Sequence, residues 1–350
     1  MLKKKVGVID VGSNSLRLLI AWWSEGKMQE VRRELVETRL GEGLQPGSQL
    51  MPRARSRTLE ALRSFLEVLL SEGVDEALVV TTSAVREASD GSSFLSEMAQ
   101  KSPFPVQLLS PEEEAYWSFK GALQGLMVLP SSAGAREMWE RAIYREKYFE
   151  IPGESLDDLE QWLVLDLGGR STELAWVEDE EFKYQTFPFG AVRLHEEFYA
   201  LLSAVDRERK KHEELSVLLK ARVKDHMNKI SGDTSAALSN WRKRGLVAVG
   251  GTVTTLTAVL HELKEYSPET VHGYSLKKRE VERWEKIFLS STLEEIRTLL
   301  PFAPRRAEII AAGTSALLAV MEFLEKEVIL VSEEGLLLGL MEKLLSKPLI

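Results

Sequence analysis

Two segments of this sequence repeat one pattern, and that repeat constrains the fold more than any other feature. Residues 8–13 (VIDVGS) and 164–169 (VLDLGG) both read apolar, apolar, Asp, apolar, Gly, small, and Asp166 follows Asp10 by 156 residues. A second apolar run follows each segment, which predicts a strand, a glycine turn and a returning strand. The repeat therefore predicts an α/β protein built from two similar halves.

The predicted turns have the composition of anion sites. A strand that ends at Asp and turns through Gly presents backbone N–H groups, which bind phosphate readily. Glycine allows a close approach of the backbone, the neighbouring Ser or Thr adds a hydroxyl donor, and the Asp can hold magnesium directly or through water. Gly250-Gly251-Thr252, after a third apolar strand, is a further candidate phosphate or nucleotide contact. A single turn of this kind is weak evidence, because purely structural hairpins also use it.

Composition excludes several kinds of chemistry. The 350 residues include no cysteine, which excludes disulfides, cysteine-ligated metal and a thiol nucleophile. The five histidines show no paired spacing typical of a histidine metal site. A formal net charge of −9 argues against a general binder of nucleic acids or membrane surfaces, so an anionic substrate needs a local basic cleft.

No segment has the character of a targeting or membrane-spanning sequence. The basic start at Lys3 to Lys5 is followed by an apolar run that Asp10 and the polar turn interrupt, unlike a signal peptide. No stretch reaches the roughly 18 uninterrupted apolar residues of a membrane span. We therefore expect a soluble cytoplasmic protein with no membrane partner.

Changes in composition suggest four segments along the chain. We predict a first α/β domain over 1–128, a connection or insertion over 129–160, a second α/β domain over 161–326, and a closing strand and helix over 327–350. The connection is indicated by the Pro- and Ser-rich segment 130–134 and by the charged, aromatic residues after it. Within the first domain, apolar residues at helical spacing predict an amphipathic helix over 53–71, and Ser110-Pro111 with following acids predicts the start of another.

Seven motifs in order along the chain make it resemble one family. They are IDVGSNS (9–15), TSAVREA (82–88), LSPEEEA (109–115), LDLGGRSTEL (165–174), PFGAVRL (188–194), VGGT (249–252) and SEEGL (332–336). Together they resemble the exopolyphosphatase / guanosine pentaphosphate phosphohydrolase (Ppx/GppA) family of the actin-like ATPase superfamily. Any one motif is unspecific, but the ordered series spans nearly the whole chain.

The resemblance implies a fold and a mechanism. It implies two ribonuclease-H-like (actin-like ATPase) domains with the active site in the cleft between them, and magnesium-dependent hydrolysis of a terminal phosphoryl group. The family's general base falls on Glu114, with Arg86 as its catalytic partner or a phosphate ligand. The implied metal ligands are Asp166, Glu173 and, through water, Asp10. The implied phosphate-binding residues are Gly12, Ser13, Asn14, Gly168, Gly169, Ser171, Gly250, Gly251 and Thr252.

Four arginines are candidates for the positive rim that an anionic substrate needs: Arg17, Arg170, Arg193 and Arg305. Each has a structural alternative, since an arginine at these places can equally make an ion pair or lie on a solvated face. Arg170 stands where the family usually has a third glycine of the turn. It either blocks the backbone or forces a positive φ on a non-glycine residue, or it adds a charged donor beside the phosphate.

We therefore expect a phosphoanhydride hydrolase that uses Mg²⁺ or another divalent cation. Its substrate is inorganic polyphosphate, which we favour, or guanosine pentaphosphate, and a homodimer remains open because many proteins of this class dimerise. One alternative is a sensor that binds polyphosphate or the alarmone nucleotide without turnover, with Arg170 having degraded the metal site. The other is an ATP-dependent kinase of the same superfamily.

Overall fold

The structure is a computed structural model that describes residues 4–24, 27–45, 47–127, 159–198, 209–230 and 235–345. The predicted connection over 129–160 lies outside the described residues except for its last two. Eleven strands are described: β1 (Lys4–Val11), β2 (Ser15–Ser24), β3 (Lys27–Glu37), β4 (Glu76–Thr81), β5 (Val106–Leu108), β6 (Trp162–Leu167), β7 (Thr172–Glu178), β8 (Glu181–Phe187), β9 (Gly245–Val249), β10 (Ser275–Lys277) and β11 (Val328–Val331).

Thirteen α-helices are described, together with 3₁₀ turns at Leu159–Gln161 and Pro304–Glu308. They are α1 (Pro52–Ser71), α2 (Ser83–Glu87), α3 (Gly91–Lys101), α4 (Pro111–Met127), α5 (Ala191–Glu197), α6 (Arg209–Ile230), α7 (Ser235–Lys243), α8 (Gly251–Leu260), α9 (Pro268–Val271), α10 (Lys278–Ser290), α11 (Leu293–Leu299), α12 (Ile310–Phe323) and α13 (Leu336–Leu345).

The strands form two sheets of matching topology. The first has the order β3-β2-β1-β4-β5, and the second has the order β10-β11-β9-β6-β7-β8. In the first sheet β1, β2 and β3 form an antiparallel meander, and β4 lies parallel to β1. In the second, β6, β7 and β8 form the same meander, and β9 lies parallel to β6. The predicted repeat is therefore a repeat of structure, and the predicted α/β class is confirmed.

Two helical layers cover the first sheet. Val6 and Val8 of β1 join a core with α13, whereas Ile9 and Val11 join a core with α1. These side chains are at most 1% exposed, so β1 is apolar on both faces. A strand that is buried on both faces reads as a continuous apolar run, which is why the sequence signal of β1 is strong.

The second sheet rests on one long core. Leu163, Leu165 and Leu167 of β6 pack in a cluster that includes nearly every side chain of α12. All residues of that helix except Glu322 are buried, because α5, α6 and α10 contact it as well. This is the arrangement expected for a helix buried in the interior of a domain.

The chain divides into two compact units, 1–121 with 336–350 and 122–335. The first boundary falls within α4, between Gly121 and Ala122. The predicted closing segment over 327–350 is divided between the two units. The reason is that β11 pairs with β9 and β10 of the second sheet, whereas α13 contacts β1 and β2 of the first.

None of the helices in the described ranges combines the length and the apolar character that a membrane crossing requires.

Gly250 is the position where the backbone most needs a glycine. It connects β9 to α8 with φ of +108°, and an added Cβ would lie 2.5 Å from the carbonyl oxygen of Leu167, at the end of β6. Gly73 also has a positive φ (+63°), but an added Cβ there would meet no atom within 4 Å. An alanine at position 73 therefore costs backbone strain alone, whereas an alanine at position 250 costs backbone strain and a steric clash.

We expect Gly73→Ala to lower the free energy of unfolding by about 1–2 kcal/mol, the cost of a left-handed alanine. Gly250→Ala should cost about 1–3 kcal/mol more, because the Cβ also forces Leu167 to move. Urea denaturation followed by circular dichroism measures both. Equal losses in the two variants would contradict the close approach of β6 to this turn.

Candidate active site

The first Gly turn connects β1 to β2, and two of its carbonyl groups accept hydrogen bonds from backbone N–H groups. The Gly12 N–H donates to the carbonyl of Ser15 at 3.0 Å, which closes the turn. The Gly41 N–H donates to the carbonyl of Ser13 at 2.8 Å. None of the backbone hydrogen bonds among the described residues uses the N–H of Ser13 or Asn14. Adjacent N–H groups of this kind form a concave anion site.

The second turn, between β6 and β7, has the same construction. The Gly168 N–H donates to the carbonyl of Ser171 at 3.1 Å. The first turn of α5 closes over it, with the Ala191 N–H on the carbonyl of Gly168 at 3.0 Å and the Val192 N–H on that of Gly169 at 2.8 Å. Gly190 is required just before α5, since an added Cβ would lie 2.6 Å from the Gly169 carbonyl.

The two leading glycines shape the turns rather than offer donors. The N–H groups of Gly12 and Gly168 already donate across their own turns. An added Cβ on either residue would lie within 3.0 Å of the carbonyl oxygen that accepts this bond. Among the predicted phosphate-binding residues, Ser13, Asn14 and Gly169 come after these two glycines in the chain. Their N–H groups are thus the better candidates for direct hydrogen bonds to phosphate.

The residue opposite each Asp differs between the turns. Asp10 pairs across β1 and β2 with Arg17, whose Nη2 and Nε donate to Oδ2 at 2.6 and 3.0 Å. Asp10 is 2% exposed, and no donor of the described residues reaches its Oδ1. Arg17, predicted for the substrate rim, is thus bound to the Asp at the base of the turn. This ion pair compensates the charge of Asp10.

At the equivalent place in the second turn, Asp166 pairs across β6 and β7 with Glu173. Side chains that pair in antiparallel strands lie on one face of the sheet, about 4.5–5.5 Å apart at Cβ, and like charges so placed repel. Glu173 is also buried, at 2% exposure. A divalent cation between the carboxylates would offset this repulsion, so the two residues fit a magnesium site.

A larger acidic or histidine cluster is not part of this site. In the parts of the chain that the structure describes, no three His, Asp or Glu side chains converge as a metal-binding group. Magnesium commonly keeps several waters and takes only one or two carboxylates plus substrate phosphate. Two carboxylates are therefore compatible with magnesium.

Glu114 lies in the first turn of α4 and is held by Arg86 of α2. Both Nη1 and Nη2 of Arg86 lie 3.3 Å from Oε2 of Glu114, and Nη1 also donates to the carbonyl of Leu109 at 2.9 Å. Glu114 is 9% exposed, whereas its neighbours Glu112 and Glu113 are exposed. Only one of the three adjacent acids is thus buried and fixed in position.

The same helix α2 connects this carboxylate to the first turn. The hydroxyls of Ser13 and Ser83 form a buried hydrogen bond of 2.9 Å, and Ser83 begins α2. Arg86 follows within that short helix. The first turn and Glu114 are therefore positioned by one rigid element.

Arg170 does not occupy the rim that its position in the motif suggested. Its side chain is 2% exposed, and Nη1 donates to Oε2 of Glu196 on α5 at 3.1 Å. Its φ is not positive; the described non-glycine residues with positive φ are Arg39, Asp179, Glu180, Glu262 and Glu325. The guanidinium thus ties the second turn to α5, and the backbone strain considered for this residue is absent.

The arginine beside the third predicted contact, Gly250-Gly251-Thr252, is Arg306 and not the predicted rim residue Arg305. An added Cβ on Gly251 would lie 1.8 Å from Nη1 of Arg306, so this guanidinium covers the start of α8. The predicted Arg305 is exposed. Thr252 is 4% exposed, and its hydroxyl would meet an added Cβ on Gly313, so its side chain faces α12.

Polar groups surround the start of α8. Tyr266 donates to Oε2 of Glu333, and both burial and the Glu333 charge raise the pKa of the Tyr266 hydroxyl. The phenol therefore stays protonated and serves as a hydrogen-bond donor. Arg193 lies apart from this group; its Nη1 donates to the carbonyl of Pro188 and its N–H to that of Gly169.

The sequence makes Arg305 and Arg306 equal candidates for the rim, because adjacency does not tell which of the two side chains lies beside α8; in the structure it is Arg306. Sequence reasoning missed two parts of this arrangement. The N–H groups at the start of α5 and in the segment 38–41 hold the turns through backbone atoms. Backbone donors leave no residue-type signal, so only Gly190 pointed to the first of them.

Comparisons with known proteins identify relatives of this chain. The Ppx/GppA phosphatase family profile matches residues 19–130 and 154–347. Exopolyphosphatase 2 of Mycobacterium tuberculosis is 26% identical over 322 residues, covering 88% of this chain and 87% of that protein. A crystal structure of an exopolyphosphatase-like protein matches with 26% identity and a TM-score of 0.76, over 97% of this chain and 98% of that one. The predicted pair of ribonuclease-H-like domains is thus confirmed.

Two further relatives are considerably longer than this chain. The bifunctional 3-dehydroquinate synthase/phosphatase of Fusobacterium nucleatum is 25% identical over 95% of this chain, which spans 45% of that protein. The guanosine-5′-triphosphate,3′-diphosphate pyrophosphatase of Vibrio vulnificus is 26% identical over 97% of this chain and 59% of that protein.

The buried Arg170–Glu196 pair can be tested by a double-mutant cycle with Arg170→Met and Glu196→Gln. We expect a coupling energy of about 1 kcal/mol or more in urea unfolding, since contacting charges in one network usually couple by about 0.5–3 kcal/mol. Lys229→Met with Glu196→Gln is the control cycle, because Lys229 pairs with Asp225 of its own helix α6. Additivity of Arg170→Met and Glu196→Gln within about 0.3 kcal/mol would show that Arg170 does not hold α5 in this way.

Proposed function

The chain belongs to the Ppx/GppA phosphatase family, and we propose that it hydrolyses the terminal phosphoanhydride bond of inorganic polyphosphate or guanosine pentaphosphate. Polyphosphate is the substrate that we favour. In support, a relative that matches 88% of this chain is named an exopolyphosphatase. A relative that matches 97% of this chain is named for the guanosine substrate, so the proposal keeps both substrates.

The observation that carries the proposal is the fixed carboxylate of Glu114. Hydrolysis of a phosphoanhydride needs a group that orients water and accepts its proton as the water attacks phosphorus. Arg86 holds Oε2 of Glu114 and is itself held by the carbonyl of Leu109. We assign Glu114 as the general base and Arg86 as the positioning residue that keeps its carboxylate in one orientation.

The two turns would bind phosphoryl oxygens. In the first turn the candidate donors are the N–H groups of Ser13 and Asn14, and in the second the N–H of Gly169. Asp166 and Glu173 would hold magnesium, and Asp10 would contribute through water at most, since Arg17 compensates its charge. When bound, the metal supplies neutralisation of the charge that develops on the transferred phosphoryl group.

The two alternatives receive less support. The sensor hypothesis depended on Arg170 disturbing the second turn, but that side chain points to Glu196 and its φ is not positive. A kinase would transfer the phosphoryl group to an acceptor hydroxyl, whereas the family to which the chain belongs is one of phosphatases, in which the acceptor is water. ATP hydrolysis that a small alcohol stimulates would favour the kinase.

Glu114→Gln should lower kcat for phosphate release by about 10²–10⁴-fold, the usual contribution of positioned proton transfer. The KM should change little, because the substituted amide keeps the shape of the side chain. The assay follows inorganic phosphate from long-chain polyphosphate and from guanosine pentaphosphate, with magnesium and with a chelator. Glu112→Gln is the matched control: it is exposed on the same helical turn and should keep full activity.

Two results would contradict the proposal in different ways. Activity of Glu114→Gln within about tenfold of wild type would exclude Glu114 as the base. Wild-type protein that binds either substrate but releases no phosphate would exclude a hydrolase and favour the sensor.

A further inference from the structure

Arg39 has a backbone conformation that its place in the fold does not by itself require. Its φ is +52°, in the left-handed region that non-glycine residues rarely adopt. Among the described residues, the other four of this kind connect a hairpin (Asp179, Glu180) or follow a helix end (Glu262, Glu325). Arg39 does neither. A strained residue outside such places usually marks a functional constraint.

Three N–H groups of the segment 38–41 donate hydrogen bonds to the first turn. The N–H groups of Thr38 and Arg39 both donate to the carbonyl of Asn14, at 3.1 and 2.8 Å, and the Gly41 N–H donates to the carbonyl of Ser13 at 2.8 Å. Three donors from four residues thus converge on two successive carbonyls. The left-handed conformation at Arg39 lets the chain bring them to one side.

Fixing the carbonyl of Ser13 also fixes the N–H of Asn14. The two groups belong to one planar trans peptide and point in opposite directions. The donor from Gly41 therefore turns the Asn14 N–H away from the segment 38–41. No described backbone acceptor takes that N–H, so it is held ready for an outside acceptor.

In the second turn the equivalent carbonyl group is also fixed by backbone donors, but no residue with a positive φ is needed. There the N–H groups of Val192 and Arg193 donate to the carbonyl of Gly169, the residue 156 positions after Ser13. They belong to α5, which begins soon after β8, and the first N–H groups of a helix are always available as donors. In the first unit no helix begins among the described residues between β3 and Pro52, so an irregular segment provides these donors.

The surroundings hold the segment firmly. Leu40 and Leu44 are at most 1% exposed and belong to the core between the first sheet and α1. From α1, Nε of Arg57 donates to the carbonyl of Thr38 at 3.0 Å, and Nη2 contacts Glu42 at 2.9 Å. Arg39 is therefore flanked on both sides by anchored residues, which maintain its strained conformation.

We propose that the backbone of Arg39 is a positioning element of the active site, which aims the Asn14 N–H at a phosphoryl oxygen of the substrate. The inference rests on the proposed phosphate binding at the first turn. It assigns the role to the left-handed backbone at Arg39 and not to the guanidinium. Arg39→Gly, which adopts this φ without cost, should therefore preserve function, whereas Arg39→Val should not.

Selective labelling makes the Asn14 amide directly observable. The chain contains three asparagines, Asn14, Asn228 and Asn240. Protein grown with ¹⁵N-asparagine thus gives three backbone signals, and Asn14→Asp identifies the first of them. Inorganic tripolyphosphate, added with chelator to prevent turnover, should move the Asn14 proton signal downfield and leave Asn228 and Asn240 unchanged.

The series Gly, Ala, Val at position 39 then tests the proposal. We expect Arg39→Gly to bind tripolyphosphate with nearly wild-type affinity and Arg39→Val to bind about tenfold or more weakly, with Arg39→Ala between them. The KM for polyphosphate should follow the same order while kcat changes less. Because Asn228 and Asn240 lie in the second unit, an unchanged urea-unfolding transition is the evidence that the first unit of each variant is folded. Arg39→Ala serves if Arg39→Val is not folded.

Each other outcome overturns a specific claim. If the wild-type Asn14 signal does not respond, the first turn does not bind phosphate, and the proposed function loses this site along with the inference. If it responds equally in all variants, the positioning role is wrong and the proposed function stands. If Arg39→Gly is as weak as Arg39→Val, the side chain acts and the backbone assignment is wrong.

Discussion

The antiparallel register of the two hairpins is the constraint on which the candidate site depends. In each hairpin a Gly turn closed by one N–H to carbonyl bond sets the partner of the Asp that precedes it. That partner is Arg17 for Asp10 and Glu173 for Asp166. One register thus produces a neutral ion pair in the first unit and two adjacent carboxylates in the second. The two similar folds thereby differ in charge at the equivalent place, which is why the proposed magnesium site lies at the second turn.

The turns themselves are held by backbone donors from the chain that follows each third strand. In the second unit these donors are the first N–H groups of α5, and in the first unit they come from the segment 38–41. In both arrangements the carbonyl groups of the turn accept hydrogen bonds from the protein, and N–H groups of the turn are left for a ligand. A phosphate site of this type needs no positive side chain, so the net charge of −9 is compatible with the proposed polyanionic substrate.

The sequence allowed the sheets and the repeat to be predicted, because β1, β4, β6 and β9 are buried runs of apolar residues and the Asp-Gly turns mark where the chain reverses. It did not allow the side-chain partners to be predicted. Arg170 lies in a phosphate motif, yet its guanidinium is buried against Glu196, since α5 brings that carboxylate to the turn. Arg39 gave no signal at all, because its contribution lies in φ and in N–H groups that every residue type possesses. The predicted cleft between the two domains stays a prediction.

We expect a divalent cation to bind at Asp166, which lies opposite Glu173, and not at Asp10, which lies opposite Arg17. Electron paramagnetic resonance of Mn²⁺, as a substitute for Mg²⁺, tests it with two matched variants at equivalent positions, Asp10→Asn and Asp166→Asn. The account predicts that Asp166→Asn loses the tightly bound ion of the wild type and that Asp10→Asn retains it. Loss of the ion in Asp10→Asn with retention in Asp166→Asn would contradict the account.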